Sequence, residues 1–382
     1  MAACQPWTSK IQDGDRKYGS FFWEDDHELL WLANFMNINR LIRRREDDLV
    51  YLDTWRQGWH ELDQRLFSIT PFALLPFVDF PFLRSEWVAE RSLMYTMPSL
   101  RNLLTQNNFS DVDVLWIGHP RLYSITKLVN YKILVYRMSD DVAEYEYEPK
   151  TVNQIEAKIC SKADIVFATA QRLIDKARQN ADNVYYLPNG AQFEFFNEPN
   201  LIIPPDLKKI PKPTILFLGI INDRLDFNLL QNLTDRLLDY SFVFVGPAFG
   251  TPRVKNGVAK LAEKENCHFL GSRSFFQIRR YMQHSDVGLI PFVSNDLTNA
   301  MSPIKLFQYA ASGLPIVAAR LNEIDYLNSP AMLYDNLDEC VDLIINAVEN
   351  KELLSPVSID FARANTWRKR YGEIKECIDG LL

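Results

Sequence analysis

The chain has 382 residues, with 42 Lys and Arg against 49 Asp and Glu and a formal charge of −7. That length exceeds one compact core and suits two domains, and 47% hydrophobic with 24% charged residues is ordinary globular usage, which excludes extended disorder. The acidic balance excludes a general nucleic-acid binder, and the five scattered cysteines (Cys4, Cys160, Cys267, Cys340, Cys377) make neither a zinc site nor a disulfide framework and fit a reducing compartment.

The opening MAACQPWTSK has no apolar run of the kind that marks a secretory signal, and no stretch reaches the ~20 apolar residues that span a bilayer. The expectation is a cytoplasmic chain that at most rests on the cytoplasmic face of a membrane. In residues 39–48, NRLIRRREDD, the arginines Arg40, Arg43, Arg44 and Arg45 crowd together. A β-like run at 48–52 (DLVYL) follows, then Trp55, Trp59 and the apolar stretch 68–83, SITPFALLPFVDFPFL, which its prolines keep from forming a regular helix. Basic residues beside aromatic and aliphatic ones suit an anionic membrane surface, at ~1 kcal/mol per charge. The alternative is a buried stretch whose arginines pair with Glu46, Asp47 and Asp48.

Runs at 112–117 (VDVLWI), 132–136 (KILVY), 165–169 (IVFAT) and 184–187 (VYYL) alternate with helical patterns at 152–162 and 171–179. Such alternation implies βα units and a mostly parallel sheet. His119 follows the first of these strands; an isolated histidine there is expected to be structural. Asp140 and Asp141 follow the second, where a strand's carboxyl end opens toward a ligand and a carboxylate can act as general base. A helix cap or a solvated pair is the structural alternative. Residues 191–213 are rich in proline and turn formers and read as a linker.

The rhythm restarts at 214–218 (TILFL), 242–245 (FVFV), 268–270 (HFL), 287–290 (VGLI) and 316–318 (IVA), with helices expected at 226–238, 275–284 and 305–311. Gly219 ends the first of these strands and lets backbone approach a ligand, while Arg224 in the next loop can grip a phosphate or a sugar carboxylate at two points. Ser302 and Pro303 read as N-cap and first residue of a helix whose free N–H groups and positive dipole end suit a diphosphate. Lys305 adds a point charge and Gln308, one turn on, a carboxamide for hydroxyl groups. Residues 359–382 carry a long amphipathic helical pattern.

The stretch SPIKLFQYAASGLPIVA resembles the S-P-x-K-x-x-E-Y-x-A-x-G-x-P-V-V signature of GT-B glycosyltransferases. ADIVFATAQRL with YLPNGAQFEFF, ILFLGIINDRLDFNLL, FVFVGP and FLGSRSFFQIRRYMQHSDVGLIPF are similar to other segments of that family, in the same order. The resemblance implies an α/β fold of two Rossmann-like domains facing across a cleft. Residues 1–190 would hold the acceptor, 191–213 link, 214–358 hold a nucleotide sugar, and 359–382 return as a helix to the first domain. It further implies Lys305 on the diphosphate, Gln308 on the nucleotide or donor, and the backbone of 271–273, including Arg273, on a uracil. Asp140 or Asp141 would be the base, and no cofactor or metal is needed beyond the UDP-sugar itself. The glutamate pair of many retaining members is missing, at the positions of Ala300 and Gln308. A Lys followed by Gln is instead similar to inverting, membrane-associated glucuronosyltransferases, and YRMSDD with GIINDRLD to the teichuronic-acid type. The expected activity is transfer of a sugar, with glucuronic acid the first guess, to a carbohydrate or lipid-linked acceptor in polysaccharide synthesis. A retaining transferase, a nucleotide-sugar epimerase and a non-catalytic binding protein are the alternatives.

Overall fold

A computed structural model describes residues 1–9, 13–43, 46–145, 147–200 and 202–381. They form two compact units, one of residues 1–188 with 371 onward, the other of Asn189–Arg370. Arg44 and Arg45 of the basic cluster lie outside the described residues.

The first unit holds β1 (Ala2–Ala3), β2 (Leu29–Ala33), β3 (His60–Asp63), β4 (Leu66–Ile69), a small separate pair β5 (Phe72–Ala73) and β6 (Thr96–Met97), then β7 (Asp111–Ile117), β8 (Asn130–Met138), β9 (Ile165–Ala168) and β10 (Val184–Tyr186). Eight of these make one sheet in the order β10-β9-β8-β7-β1-β2-β4-β3. All neighbours pair parallel except β3 with β4. Chain order reverses between β1 and β7, so the unit's switch point lies where those two strands end.

The second unit adds β11 (Thr214–Leu218), β12 (Ser241–Val245), β13 (Cys267–Gly271), β14 (Val287–Ile290), β15 (Ile316–Ala319) and β16 (Met332–Tyr334), all parallel, in the order β13-β12-β11-β14-β15-β16. Every residue of β11, β12, β14 and β15 is buried. Helices on both faces of a parallel sheet demand that, and it is why these strands read as unbroken apolar runs. The switch point here lies between β11 and β14.

The structure departs from expectation in four places. Residues 48–52 are not a strand but part of the helix Glu46–Gln57; Asp48, Tyr51 and Leu52 are buried and Trp55 half-buried, a spacing that follows the 3.6-residue period. Residues 191–213 are not a free linker: Ala191, Phe196 and Leu207 enter the core of the second unit. Their polar backbone is met by the helix Phe275–His284, through Arg279 to Phe195 O (3.0 Å), Gln283 to Phe196 O (2.7 Å) and His284 with Asn200 O (2.8 Å). The strap makes a short helix, Phe193–Asn197, and a single helical turn, Leu207–Lys209, and its prolines keep it out of the sheet but not out of the fold. The single terminal helix is two, Lys351–Ala364 and Trp367–Asp379. Ala191 breaks it by giving its N–H to Asn365 O (2.8 Å) and accepting from Trp367 N–H (3.1 Å). Its residues up to 370 belong to the second unit; from Tyr371 they pack in the first, where the Tyr371 hydroxyl and Lys375 ammonium both reach Asp25 at 3.0 Å. Finally, the strands β1 to β6 and β16 were not foreseen.

Candidate active site

In the second unit the residue after β11 is Gly219 (φ 134°) and the residue after β12 is Gly246 (φ 147°). A Cβ on Gly246 would stand 2.0 Å from Gly219 O, and one on Gly219 2.5 Å from Lys305 Cε and 2.6 Å from its Nζ. Both glycines are therefore required for the backbone turns to close on each other and for the lysine to lie along them.

Lys305 occupies the first turn of the helix Ile304–Ala311, which connects β14 to β15 and so begins at the carboxyl edge of the sheet. Its ammonium sits 5.4 and 5.5 Å from the ring centroids of Phe217 and Phe292. Among the described residues no carboxylate or carbonyl accepts from it. Burial, with the Arg224 cation acting in the same direction, lowers it to about 8. The backbone N–H groups of Ile304 and Lys305 also meet no acceptor among the described residues. A desolvated cation, two N–H groups without an acceptor among the described residues and a positive helix end together suit an anion.

The loop beside it is stapled in place. Val293 N–H donates to Arg224 O (2.8 Å), Asp226 N–H to Pro291 O (2.9 Å), and the Asp226 carboxylate caps the next helix at Asn228 and Leu229. Gln308 is half-buried, and its carboxamide bonds to none of the described residues. Gly219, Lys305 and Gln308 are thus the expected donor residues that the structure leaves suited to a ligand, while the backbone of Arg224 helps to staple the loop.

Two of the expected residues have side chains engaged within the protein. Ser302 is not the N-cap, which is Pro303; its hydroxyl accepts from Asn189 N–H (3.2 Å) and its carbonyl from Asn189 Nδ2 (2.6 Å). Proline imposes the extended φ that a cap needs, so the serine is freed to hold the strap. The Arg273 guanidinium binds the Tyr281 hydroxyl (2.7 Å), Asp206 (2.5 Å) and Ser272 O (2.9 Å), an internal lock that leaves only its backbone for a ligand. Tyr309 was not foreseen in a role. Its buried hydroxyl accepts from Leu218 N–H (2.8 Å) and donates to Leu216 O (3.3 Å), pinning the helix of Lys305 to β11. A phenol four residues after the lysine was the available signal.

In the first unit, Asp140 is half-buried and Asp141 is 6% exposed, both in the loop after β8. Asp141 accepts from the Lys176 ammonium at 2.6 Å and makes no side-chain cap to the turn that follows. At the switch point lies a pair that the sequence did not announce: Arg137, 2% exposed, with Asp15 at 3.5 Å. The Trp116 indole also donates to Asp15 (3.0 Å), and Gly118 and Gly14 leave the space that the two side chains fill. Burial and the Asp15 charge raise neighbouring Asp13 to about 6. His119 is structural: its Nδ1 accepts from Arg121 N–H (3.2 Å), and Nε2 lies 3.8 Å from Glu148. Burial, helped by Arg121 and Arg40, lowers it to about 3, so it stays neutral.

Elsewhere on this unit Leu74, Phe80, Phe82, Met97 and, on the helix Ile38–Arg43, Ile38 and Ile42 are exposed, Phe82 by 65% and Ile42 by 72%. Arg43 is exposed on that same helix, whereas Arg40 is drawn inward by Asp48 (3.9 Å) and the Tyr51 ring (3.7 Å). No helix among the described residues is long and apolar enough to cross a membrane.

Residues 212–350 match the family of group 1 glycosyl transferases. Over 280 residues, 68% of this chain and 70% of the other, the sequence is 22% identical to TuaH of Bacillus subtilis, assigned as a teichuronic acid biosynthesis glycosyltransferase. The fold is similar to that of sucrose-phosphate synthase from Thermosynechococcus elongatus (TM-score 0.72, 12% identity, covering 100% of this chain and 98% of that one). It is also similar to Anabaena HepE, solved in complex with UDP (TM-score 0.62, 13% identity, 99% of each chain).

Proposed function

The chain being a glycosyltransferase of the GT-B fold, with a group 1 glycosyl transferase domain at residues 212–350, we propose that it moves a sugar from a UDP-linked donor to a hydroxyl of a carbohydrate or lipid-linked acceptor. The observation that carries this reading is Lys305: a desolvated ammonium with no carboxylate partner among the described residues, set against two glycine turns at the carboxyl edge of the second sheet. Paired with the helix N–H groups, it supplies the charge neutralisation of the leaving diphosphate that a metal ion would otherwise provide. Gln308 faces the donor from the next turn, and Gly219 admits the diphosphate to the backbone. Arg224, close enough to depress Lys305, fits a carboxylate on the donor sugar, hence a hexuronic acid such as glucuronic acid. HepE's complex with UDP and the teichuronic acid assignment of TuaH support the same donor and product class.

The reaction is a single displacement with inversion. The acceptor oxygen bonds to the sugar's anomeric carbon while the bond from that carbon to the diphosphate oxygen breaks. The acceptor proton passes to a carboxylate of the Asp140–Asp141 pair, and UDP leaves with the bonding electrons. The exposed Phe80, Phe82, Ile38 and Ile42 with Arg43 form the face that rests on the cytoplasmic leaflet and meets a lipid-linked acceptor.

Incubating the purified chain with UDP-glucuronic acid and lipid-linked oligosaccharide acceptors, with the product's anomeric configuration read by NMR, tests the proposal. Acceptor-dependent release of UDP with an inverted anomer is expected. A retained anomer overturns the displacement, and sugar isomerisation without acceptor overturns transfer itself.

A further inference from the structure

Three neighbouring strands of the second sheet end on bare backbone. Gly219 and Gly246 follow β11 and β12, and Gly271 (φ 72°) ends β13, the strands lying side by side in the order β13-β12-β11. All three glycines hold a positive φ, and a Cβ on Gly271 would meet nothing within 4 Å. Two strand spacings, ~10 Å, separate the first of these turns from the last, about the reach from a nucleotide's diphosphate to its base. Beyond Phe244 the pairing of β12 with β13 slips by one residue, leaving Leu270 unopposed, and such a slip bends the end of the strand. Gly271 and Ser272 are exposed there. The N–H groups of Ser272 and Arg273 and the Arg273 carbonyl meet no partner among the described residues.

This loop is held by side chains. The Arg273 guanidinium ties Ser272 O, within the loop, to Asp206 on the strap and to the buried Tyr281 hydroxyl. That hydroxyl lies 2.9 Å from both Asp206 oxygens, and Ser274 N–H donates to Gln277 Oε1 (3.0 Å) at the loop's far end. A carboxylate shared by a guanidinium and a phenol is a directional joint. Reading a base needs such a joint. Uracil presents a carbonyl oxygen beside an N–H, cytosine an amino group beside a bare nitrogen, so donor and acceptor change places. A peptide edge free to slide would satisfy either; one fixed relative to a diphosphate held at Lys305 satisfies one. Resting on the reading of a UDP-linked donor, we infer that Asp206 is a positioning residue for that donor: through Arg273 it fixes residues 271–273, whose backbone meets the uracil. The strap thereby serves the ligand without touching it.

Calorimetric titration of UDP, CDP and inorganic pyrophosphate into the wild-type chain, Arg273→Met and Asp206→Asn tests this. The wild type should bind UDP about tenfold or more tightly than CDP, the worth of two neutral hydrogen bonds. Arg273→Met should lose about tenfold in UDP affinity and bring the ratio of UDP to CDP close to one. Asp206→Asn, which weakens a charge-assisted joint to a neutral one, should lower that ratio about threefold. Pyrophosphate, which has no base to read, should bind both variants within about twofold of the wild type, a split that general damage to the fold would not produce. Should Arg273→Met fail to fold, judged by circular dichroism, Asp206→Asn carries the test, because its amide oxygen still accepts the Leu207 N–H that Asp206 accepts at 2.9 Å. Either variant keeping the full wild-type ratio of UDP to CDP, or weakening pyrophosphate as much as UDP, overturns the inference alone. A wild-type chain that binds CDP as tightly as UDP instead overturns the uridine donor on which it rests.

Discussion

At the carboxyl edge of the second unit's sheet, β11 and β12 are each followed by a glycine and the cation set against the first of them, Lys305, meets no carboxylate among the described residues. At the switch point of the first, the same place in a similar sheet is filled by Arg137 and Asp15, a buried ion pair with an indole N–H completing the carboxylate's contacts. One edge is left electrically incomplete and the other is closed within the protein. A cation desolvated without a partner costs stability that only an arriving anion can recover. A buried cation already paired rigidifies the loops around it and attracts nothing. The difference fits the proposed division of labour, with a surface suited to a diphosphate in the second unit and an internally paired one in the first.

Breaking the closed edge should have the largest effect, and on folding rather than ligand. Arg137→Met leaves Asp15 buried and unpaired, and should cost about 3–5 kcal/mol in denaturant unfolding. Molecules that remain folded should bind UDP as before; a loss below about 1 kcal/mol would show the pair to be incidental. Crowding the open edge should act more mildly on folding but reach the ligand. Gly219→Ala forces a side chain onto φ 134° and into Lys305 Cε. It should cost about 1–3 kcal/mol of stability and weaken UDP binding about tenfold in calorimetry. Unchanged affinity would mean that the lysine need not lie against the turn.

Much of the second unit was legible because a sheet buried on both faces writes its strands as continuous apolar runs: TILFL and VGLI coincide with β11 and β14 to the residue. The helix that carries Lys305 and Gln308 was legible because a Ser-Pro helix start after such a strand has few alternatives. Ser302 was misread as the N-cap because sequence gives a side chain's chemistry but not its competitor: Asn189, 113 positions earlier, claims it first. The first unit was harder. Tyr51 and Leu52 sit in a short apolar run that strand and helix share, and tertiary burial chose helix. The pair of Asp15 and Arg137 is separated by 122 residues, and only the pairing of β1 with β7 brings it together.

The central claim is that Lys305 and its helix end receive the diphosphate. Its most direct test is calorimetric titration of UDP into the wild-type chain and Lys305→Ala between pH 7 and pH 9.5. With the free ammonium at about 8, wild-type affinity should be greatest below that pH and decline as the proton is lost above it. The variant should bind roughly 10–100-fold more weakly at pH 7, the loss of about 1.5–3 kcal/mol for a charged hydrogen bond, and show no such decline. Equal affinity in the two proteins, with the same response to pH, would contradict it.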